Sequence, residues 1–275
     1  MIPQFAWIID SGIEDRSPEH TGYPKLSEAV AEAGMPVFRF SLAQGAQVPD
    51  LDMPLGTVAY VYGSIPFVNR VLNVHNALWV PVANNERSSL SYGQMATYLG
   101  GRLLNEDFVI LPFSEVVRRR PASFGGAIFL KPFSNAKVFT GLSITEEEFD
   151  HEINCLRQIQ RPDEHLLCVV APIKDIVGEY RFVIVDRKIV AGSQYRWDGK
   201  LDIRIDIPAA CWAMAEEVAE LPWQPDDAYV VDIAQVPDGT ARVVEMNALS
   251  TSGLYACDTR AIVEAVTNHL RKIFR

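Results

Sequence analysis

No apolar run in the 275-residue chain is long enough to cross a bilayer as a helix. There is no CxxC: the four cysteines, Cys155, Cys168, Cys211 and Cys257, are scattered along the chain. They read as reduced structural residues, so a reducing compartment, the cytoplasm, is expected. Positive charge is short as well. With 25 basic and 35 acidic residues the net charge is −10, which argues against a nucleic-acid surface. The opening MIPQFAWIID lacks the basic start of a signal peptide and carries Asp10 early. No internal repeat and no low-complexity segment interrupts the chain.

What is present is ordinary globular composition, 48% hydrophobic and 22% charged, over a length that suits one large or two smaller domains. Phe5–Ile9, Pro36–Phe40, Thr57–Tyr62 and Leu78–Val82 read as strands. Helices are expected between them over Tyr23–Ala33, ended by Gly34, and from Gly63-Ser64 through Val74. Strand and helix in alternation predict a small α/β unit with a parallel sheet over residues 1 to about 85. Its turns Asp10-Ser11-Gly12 and Gly63-Ser64 stand where ligands gather in such sheets, but neither is a full phosphate motif.

Beyond it, Ser88–Leu99 reads as a helix closed by Gly100-Gly101, and Asn105–Arg120 as a strand followed by a helix. Ala127–Lys131 is a strand closed by Pro132, followed by the loop 133–141 with Ser134, Asn135 and Gly141. Lys131 and Lys137 bracket backbone amides that could face a phosphate there. Thr145 and Glu148 form a capping-box pair that opens a helix to about Gln158. Leu166–Ala171 is an apolar strand, Glu179–Val185 and Lys188–Gln194 form a hairpin, and Pro208–Leu221 and Thr259–Phe274 are helices.

The most telling stretch is YVVDIAQVPDGTARVVEMN, Tyr229 to Asn247. Pro237-Asp238-Gly239 is turn chemistry between two strands, Tyr229–Ala234 and Ala241–Met246. Alternation sets Glu245 and Asn247 on one face, with Asp232 on the partner strand. Three oxygen-bearing side chains on one hairpin face can hold a hard cation such as Mg²⁺, which takes one or two carboxylates and completes its shell with water and phosphate. An acidic residue on each strand of a wet-faced hairpin is also common without any metal. Glu245 within an otherwise apolar strand favours the metal, because a buried carboxylate is costly unless it is paired or coordinating.

The order of these features is similar to that of the ATP-grasp superfamily. A strand ending in lysine precedes a lysine-bearing loop and a helix. An apolar strand then leads into a hairpin with Glu-x-Arg, and an Asp…Glu-x-Asn hairpin follows. FLKPFSNAKVFTG, APIKDIVGEYRFVIVDRKIVAGSQY and VVEMNALSTSGLYACD resemble an uncharacterised bacterial and phage ATP-grasp clade, over about residues 88–275. The resemblance implies an ATP-grasp fold, α/β with an α+β C-terminal part. A pre-ATP-grasp domain would occupy 1–87 and the ATP-grasp domain 88–275. Its small lobe (about 125–172) and large lobe (about 173–275) would sandwich ATP. It implies that Lys131 and Lys137 meet the phosphates and that the hinge residues Val169, Val170 and Ala171 offer an adenine-binding edge. Many relatives carry an acidic residue where this chain has Val170-Ala171. Lys174 and Glu179 would face ribose or phosphate, Arg181 and Arg196 would stabilise the transferred phosphate, and Asp232, Glu245 and Asn247 would ligate magnesium. The implied activity is an ATP- and Mg²⁺-dependent carboxylate–amine (or thiol) ligase acting through an acyl-phosphate, on small-molecule or peptide substrates. A kinase-like phosphotransferase and a non-catalytic ATP-binding module are the alternatives.

Overall fold

The computed structural model describes residues 3–16, 22–74, 78–86 and 88–275, so the expected boundary at residue 87 lies outside them. The first unit runs β1 (Phe5–Asp10), a short α1 (Ser11–Glu14), α2 (Leu26–Glu32), β2 (Val37–Phe40), β3 (Thr57–Tyr62), α3 (Ile65–Leu72) and β4 (Trp79–Val82). The strands form a parallel sheet ordered β2-β1-β3-β4, with Phe5 opposite Val58 and Ile9 opposite Tyr62. β1 and β3 are buried along their whole length, as the continuous apolar runs FAWIID and TVAYVY require. The two turns at the carboxyl ends of these strands are joined by Asp10. Its carboxylate accepts from Gly12 N at 3.0 Å, Ser64 N at 3.2 Å and Ser64 Oγ at 2.7 Å. A Cβ on Gly63 would stand 2.3 Å from the Cβ of Asp10, so only glycine fits there. The amides that could have met a phosphate are thus spent on a side chain.

The second unit holds α4 (Tyr92–Leu99), β5 (Val109–Pro112), α5 (Phe113–Arg119), β6 (Ala127–Pro132), β7 (Leu142–Thr145), α6 (Phe149–Ile159) and β8 (Leu167–Ala171). Its strands make an antiparallel sheet ordered β5-β8-β6-β7. The sheet therefore reaches back to β5, before the expected start of the small lobe. Phe113, Ile128, Leu130, Ile144 and Phe149 form its core. β7 corrects the sequence reading. Thr145 ends a strand rather than opening a helix, and α6 begins four residues later at Phe149. The capping pair does form, with Thr145 Oγ1 2.7 Å from Glu148, but it closes the turn between the two elements.

The third unit is β9 (Gly178–Val185), β10 (Lys188–Trp197), β11 (Lys200–Arg204), α7 (Ala209–Glu220), β12 (Ala228–Gln235), β13 (Ala241–Ala248) and α8 (Thr259–Ile273). The antiparallel sheet is ordered β11-β10-β9-β12-β13. β11 escaped the sequence reading because KLDIR is short and mostly charged. One face packs on α4 and α7 through Met95, Phe182, Cys211 and Tyr229. The opposite face shares a core with the parallel sheet: Trp7, Ile9 and Tyr60 join Val183, Val230, Ile262 and Val266. The closing helix α8 therefore fastens the first unit to the third. Among the described residues no helix is long and apolar enough to cross a membrane.

Candidate functional site

The site lies where the second and third sheets face each other. On β6 the alternation sends Ile128 and Leu130 into the small core, leaving Phe129 and Lys131 on the cleft side. The large sheet supplies the other wall through two β-bulges, a device that re-aims side chains at working sites. On β13, Glu245 pairs with Asp232 and Val243 with Ile233, so Val244 is the extra residue, and both Val244 and Glu245 line the cleft. On β10, Gln194 pairs with Tyr180 and Arg196 with Glu179, leaving Tyr195 extra. Both Tyr195 and Arg196 then reach Glu179: the Tyr195 hydroxyl donates to Oε2 at 2.7 Å, and Arg196 Nη1 to Oε1 at 2.9 Å.

Two openings share one wall. The larger is about 450 Å³ and the smaller about 140 Å³, and Lys131, Thr140, Gly141 and Glu245 border both. Lys131 Nζ donates to Glu245 Oε2 at 2.8 Å, and Asn247 Nδ2 to Glu245 Oε1 at 2.8 Å. Burial alone would raise the Glu245 pKa. The Lys131 ammonium, the Asn247 hydrogen bond and the charge of Lys137 outweigh it and hold the carboxyl at about 2. Lys137 sits in a left-handed backbone conformation, φ +51°, on the smaller opening. Crowding by protein around its ammonium pushes its pKa down, while the Glu245 carboxylate pulls the other way. The loop bearing Lys137 is docked on the large sheet: Asn135 Nδ2 donates to Met246 O and to Asn247 Oδ1, each at 3.1 Å.

Asp232, Glu245 and Asn247 do come together, the first two directly across the β12–β13 ladder. Among the described residues no three His, Cys, Asp or Glu side chains form a metal cluster. The donor set is two carboxylates and an amide, which suits a cation that leaves the rest of its shell to water and phosphate. Magnesium therefore fits this set. Asp232 is engaged already, its two oxygens accepting from Nε and Nη2 of Arg181 at 2.7 Å each. Lys174 lies on the larger cleft with Asp107 at 3.5 Å.

Val169, Val170 and Ala171 stand elsewhere. β8 is an interior strand: Val169 and Val170 pair with both β5 and β6, and Ala171 pairs with Phe129. None of the three lines either opening. The apolar part of the larger cleft is instead Leu104, Phe129, Ile176 and Val244, none of which the sequence reading singled out. Phe129 was within reach, two residues from Lys131 on the same strand face. Val244 was not, because a bulge leaves no mark in alternation.

An ATP-grasp protein is what this arrangement of sheets defines, and sequence comparison agrees. The profile of an ATP-grasp domain family, the third of its clade, matches residues 105–266. The chain belongs to that family. No curated protein sequence matches it. Among solved structures it is similar to the D-cycloserine synthetase DcsG, with 14% identity, TM-score 0.61, and 97% of this chain and 99% of that one covered. It is also similar to a RimK domain ATP-grasp protein from Sphaerobacter thermophilus, with 17% identity, TM-score 0.60, and 95% and 99% covered. A third likeness is to a RiPP-associated ATP-grasp ligase from Chryseobacterium gregarium, solved with ADP and a leader and core peptide. It has 10% identity and TM-score 0.56, with 98% and 97% covered. At such identities the likeness is one of fold.

Proposed function

We propose that this protein is an ATP-dependent carboxylate–amine (or thiol) ligase that works through an acyl-phosphate. The observation that supports this most is the shared wall: the Lys131–Glu245 pair, with Asp232, Asn247 and Lys137 around it, between an apolar recess and a charged cleft. The adenine ring would lie among Phe129, Ile176 and Val244. The backbone edge after Ala171, toward Lys174, replaces the strand interior as its polar partner. Lys131 would exchange Glu245 for a phosphate oxygen, and Lys137 would close on the same triphosphate from its loop. Glu245, Asn247 and Asp232 would hold magnesium, which supplies neutralisation of the phosphate charge. The remaining work is positioning and electrostatic stabilisation by this chain's own groups. Arg196, half-exposed at the cleft with a guanidinium fork that matches phosphate or carboxylate, would meet the reacting end of the acceptor.

In the first step a carboxylate oxygen attacks the γ-phosphorus, the bond to the β-phosphate oxygen breaks, and ADP leaves. In the second an amine or thiol attacks the acyl carbon and inorganic phosphate leaves. Residues 1–87 would serve as the pre-ATP-grasp domain and 88–275 as the ATP-grasp domain, with the carboxylate and amine coming from small molecules or peptides. The test is ADP release in the presence of hydroxylamine and pools of cytosolic carboxylates. The ligase gives ADP together with a hydroxamate. ADP with a stable phosphorylated product identifies a kinase-like phosphotransferase, and ATP binding without ADP release from any pool identifies a binding module.

A further inference from the structure

Arg181 is not placed like a group waiting for phosphate. Its Nε and Nη2 donate to the two oxygens of Asp232 at 2.7 Å, and its Nη1 donates to the carbonyl of Gly253 at 2.8 Å. The guanidinium carbon lies 5.1 Å from the Tyr255 ring centre and 5.5 Å from that of Tyr195. Those rings stack on each other at 4.9 Å and 10°. Arg181 is 7% exposed and Asp232 1%. Burial works against the guanidinium charge, and Asp232 more than offsets it. Arg196 is built differently, with 49% of its side chain exposed and one nitrogen on Glu179.

We propose that Arg181 is a positioning residue: it locks the Asp232 carboxylate beside Glu245 for a divalent cation and ties it, through Gly253, to the turn that carries Tyr255. This rests on the reading of the site as one for magnesium and nucleotide. An ionised carboxylate offers about four lone-pair sites, and a guanidinium fork occupies two of them. The pairs left over belong to a carboxylate that can no longer rotate, and it sits directly across the ladder from Glu245. A lysine would keep the charge and lose the fork. Partners that orient a metal-binding carboxylate are typically worth ten- to a hundred-fold in metal affinity.

The test uses Mn²⁺ as the probe, with its binding to the protein–ADP complex followed by electron paramagnetic resonance, in wild type, Arg181→Lys, Asp232→Asn and the double variant. Arg181→Lys should weaken Mn²⁺ binding roughly ten- to a hundred-fold while leaving ADP affinity without divalent cations unchanged. The double variant should bind Mn²⁺ no worse than Asp232→Asn alone, because the arginine acts through that carboxylate. Unchanged Mn²⁺ affinity with weakened metal-free ADP binding, or losses that add in the double variant, overturns the proposal and makes Arg181 a phosphate ligand. Should Arg181→Lys fail to fold, nitrogen-15 spectra of arginine-labelled wild type decide. The Arg181 Nε–H signal should stay fixed when ADP alone is added, and its displacement by ADP overturns the proposal. Wild type that binds no Mn²⁺ with ADP overturns the magnesium–nucleotide reading and this inference together. Wild-type binding with an unaffected variant overturns this inference alone.

Discussion

Two places in the molecule gather buried polar groups, and they are built on different principles. At the carboxyl ends of the parallel strands, Asp10 is satisfied by the amides of Gly12 and Ser64 and by the Ser64 hydroxyl, all from the two turns it joins. Between the antiparallel sheets, Glu245 is held by Lys131 across the gap, beside an opening of about 450 Å³. The first arrangement consumes its own donors and leaves nothing for a ligand. The second pairs charges carried by separate sheets, and such a pair can be parted when a phosphate and a cation offer themselves. A buried carboxylate satisfied by local backbone is architecture; one satisfied across a cleft is a resting site.

The contrast breaks most sharply at Glu245. Glu245→Ala should abolish the magnesium-dependent stabilisation by ATP in a thermal-shift titration, and a wild-type shift in the variant would place the site wrongly. The two lysines come next. The Lys131→Met, Lys137→Met double variant should lose about 1.5–3 kcal/mol of ATP binding, roughly ten- to a hundred-fold by calorimetry. Asp10→Ala probes the other side. Leaving the donors of Gly12 and Ser64 without their acceptor should cost about 1–3 kcal/mol in denaturant unfolding, with ATP affinity equal to wild type. A loss of ATP affinity there would erase the distinction between the two places.

The smallest effect is one of pH. The Glu245 carboxyl, which burial would raise, is held by Lys131 at about 2 against an ordinary 4.5. A lowered pKa in the folded state contributes stability above the ordinary value, lost as pH falls through the folded one. The stability difference between wild type and Glu245→Gln in the absence of ligand should therefore be constant above about pH 4.5 and shrink toward pH 2. A difference that does not vary with pH would mean that Lys131 does not hold the carboxylate in solution.

Much of this is legible in the amino-acid sequence alone, for definite reasons. Continuous apolar runs mark β1 and β3 as buried parallel strands. The Asp…Glu-x-Asn hairpin is readable because its turn, Pro237-Asp238-Gly239, is explicit and its strands are long. Sequence periodicity fails where the backbone leaves its regular repeat. The bulges at Val244 and Tyr195 turn neighbouring side chains to the same cleft, and strict alternation would have sent them to opposite faces. The strand β7 hides behind a capping pair whose hydrogen bonds form in a turn. The hinge residues Val169 and Val170 match by their position in the chain. Their backbone groups are committed to neighbours on both sides, which only the sheet order reveals. Arg181 is recognisable as a site residue, but its bond to Asp232 depends on β9 and β12 being neighbours, a pairing between residues far apart in sequence.

The central claim, that the wall shared by Lys131 and Glu245 is where nucleotide and magnesium meet, is tested most directly by a crystal structure with Mg²⁺ and a non-hydrolysable ATP analogue. The account expects the Lys131–Glu245 contact to be broken, Lys131 on a phosphate oxygen, the cation on Glu245 and Asn247, and the base beside Phe129 and Val244. A nucleotide bound elsewhere, or one bound here with Lys131 still on Glu245 and no cation between the hairpin and the phosphates, would contradict it.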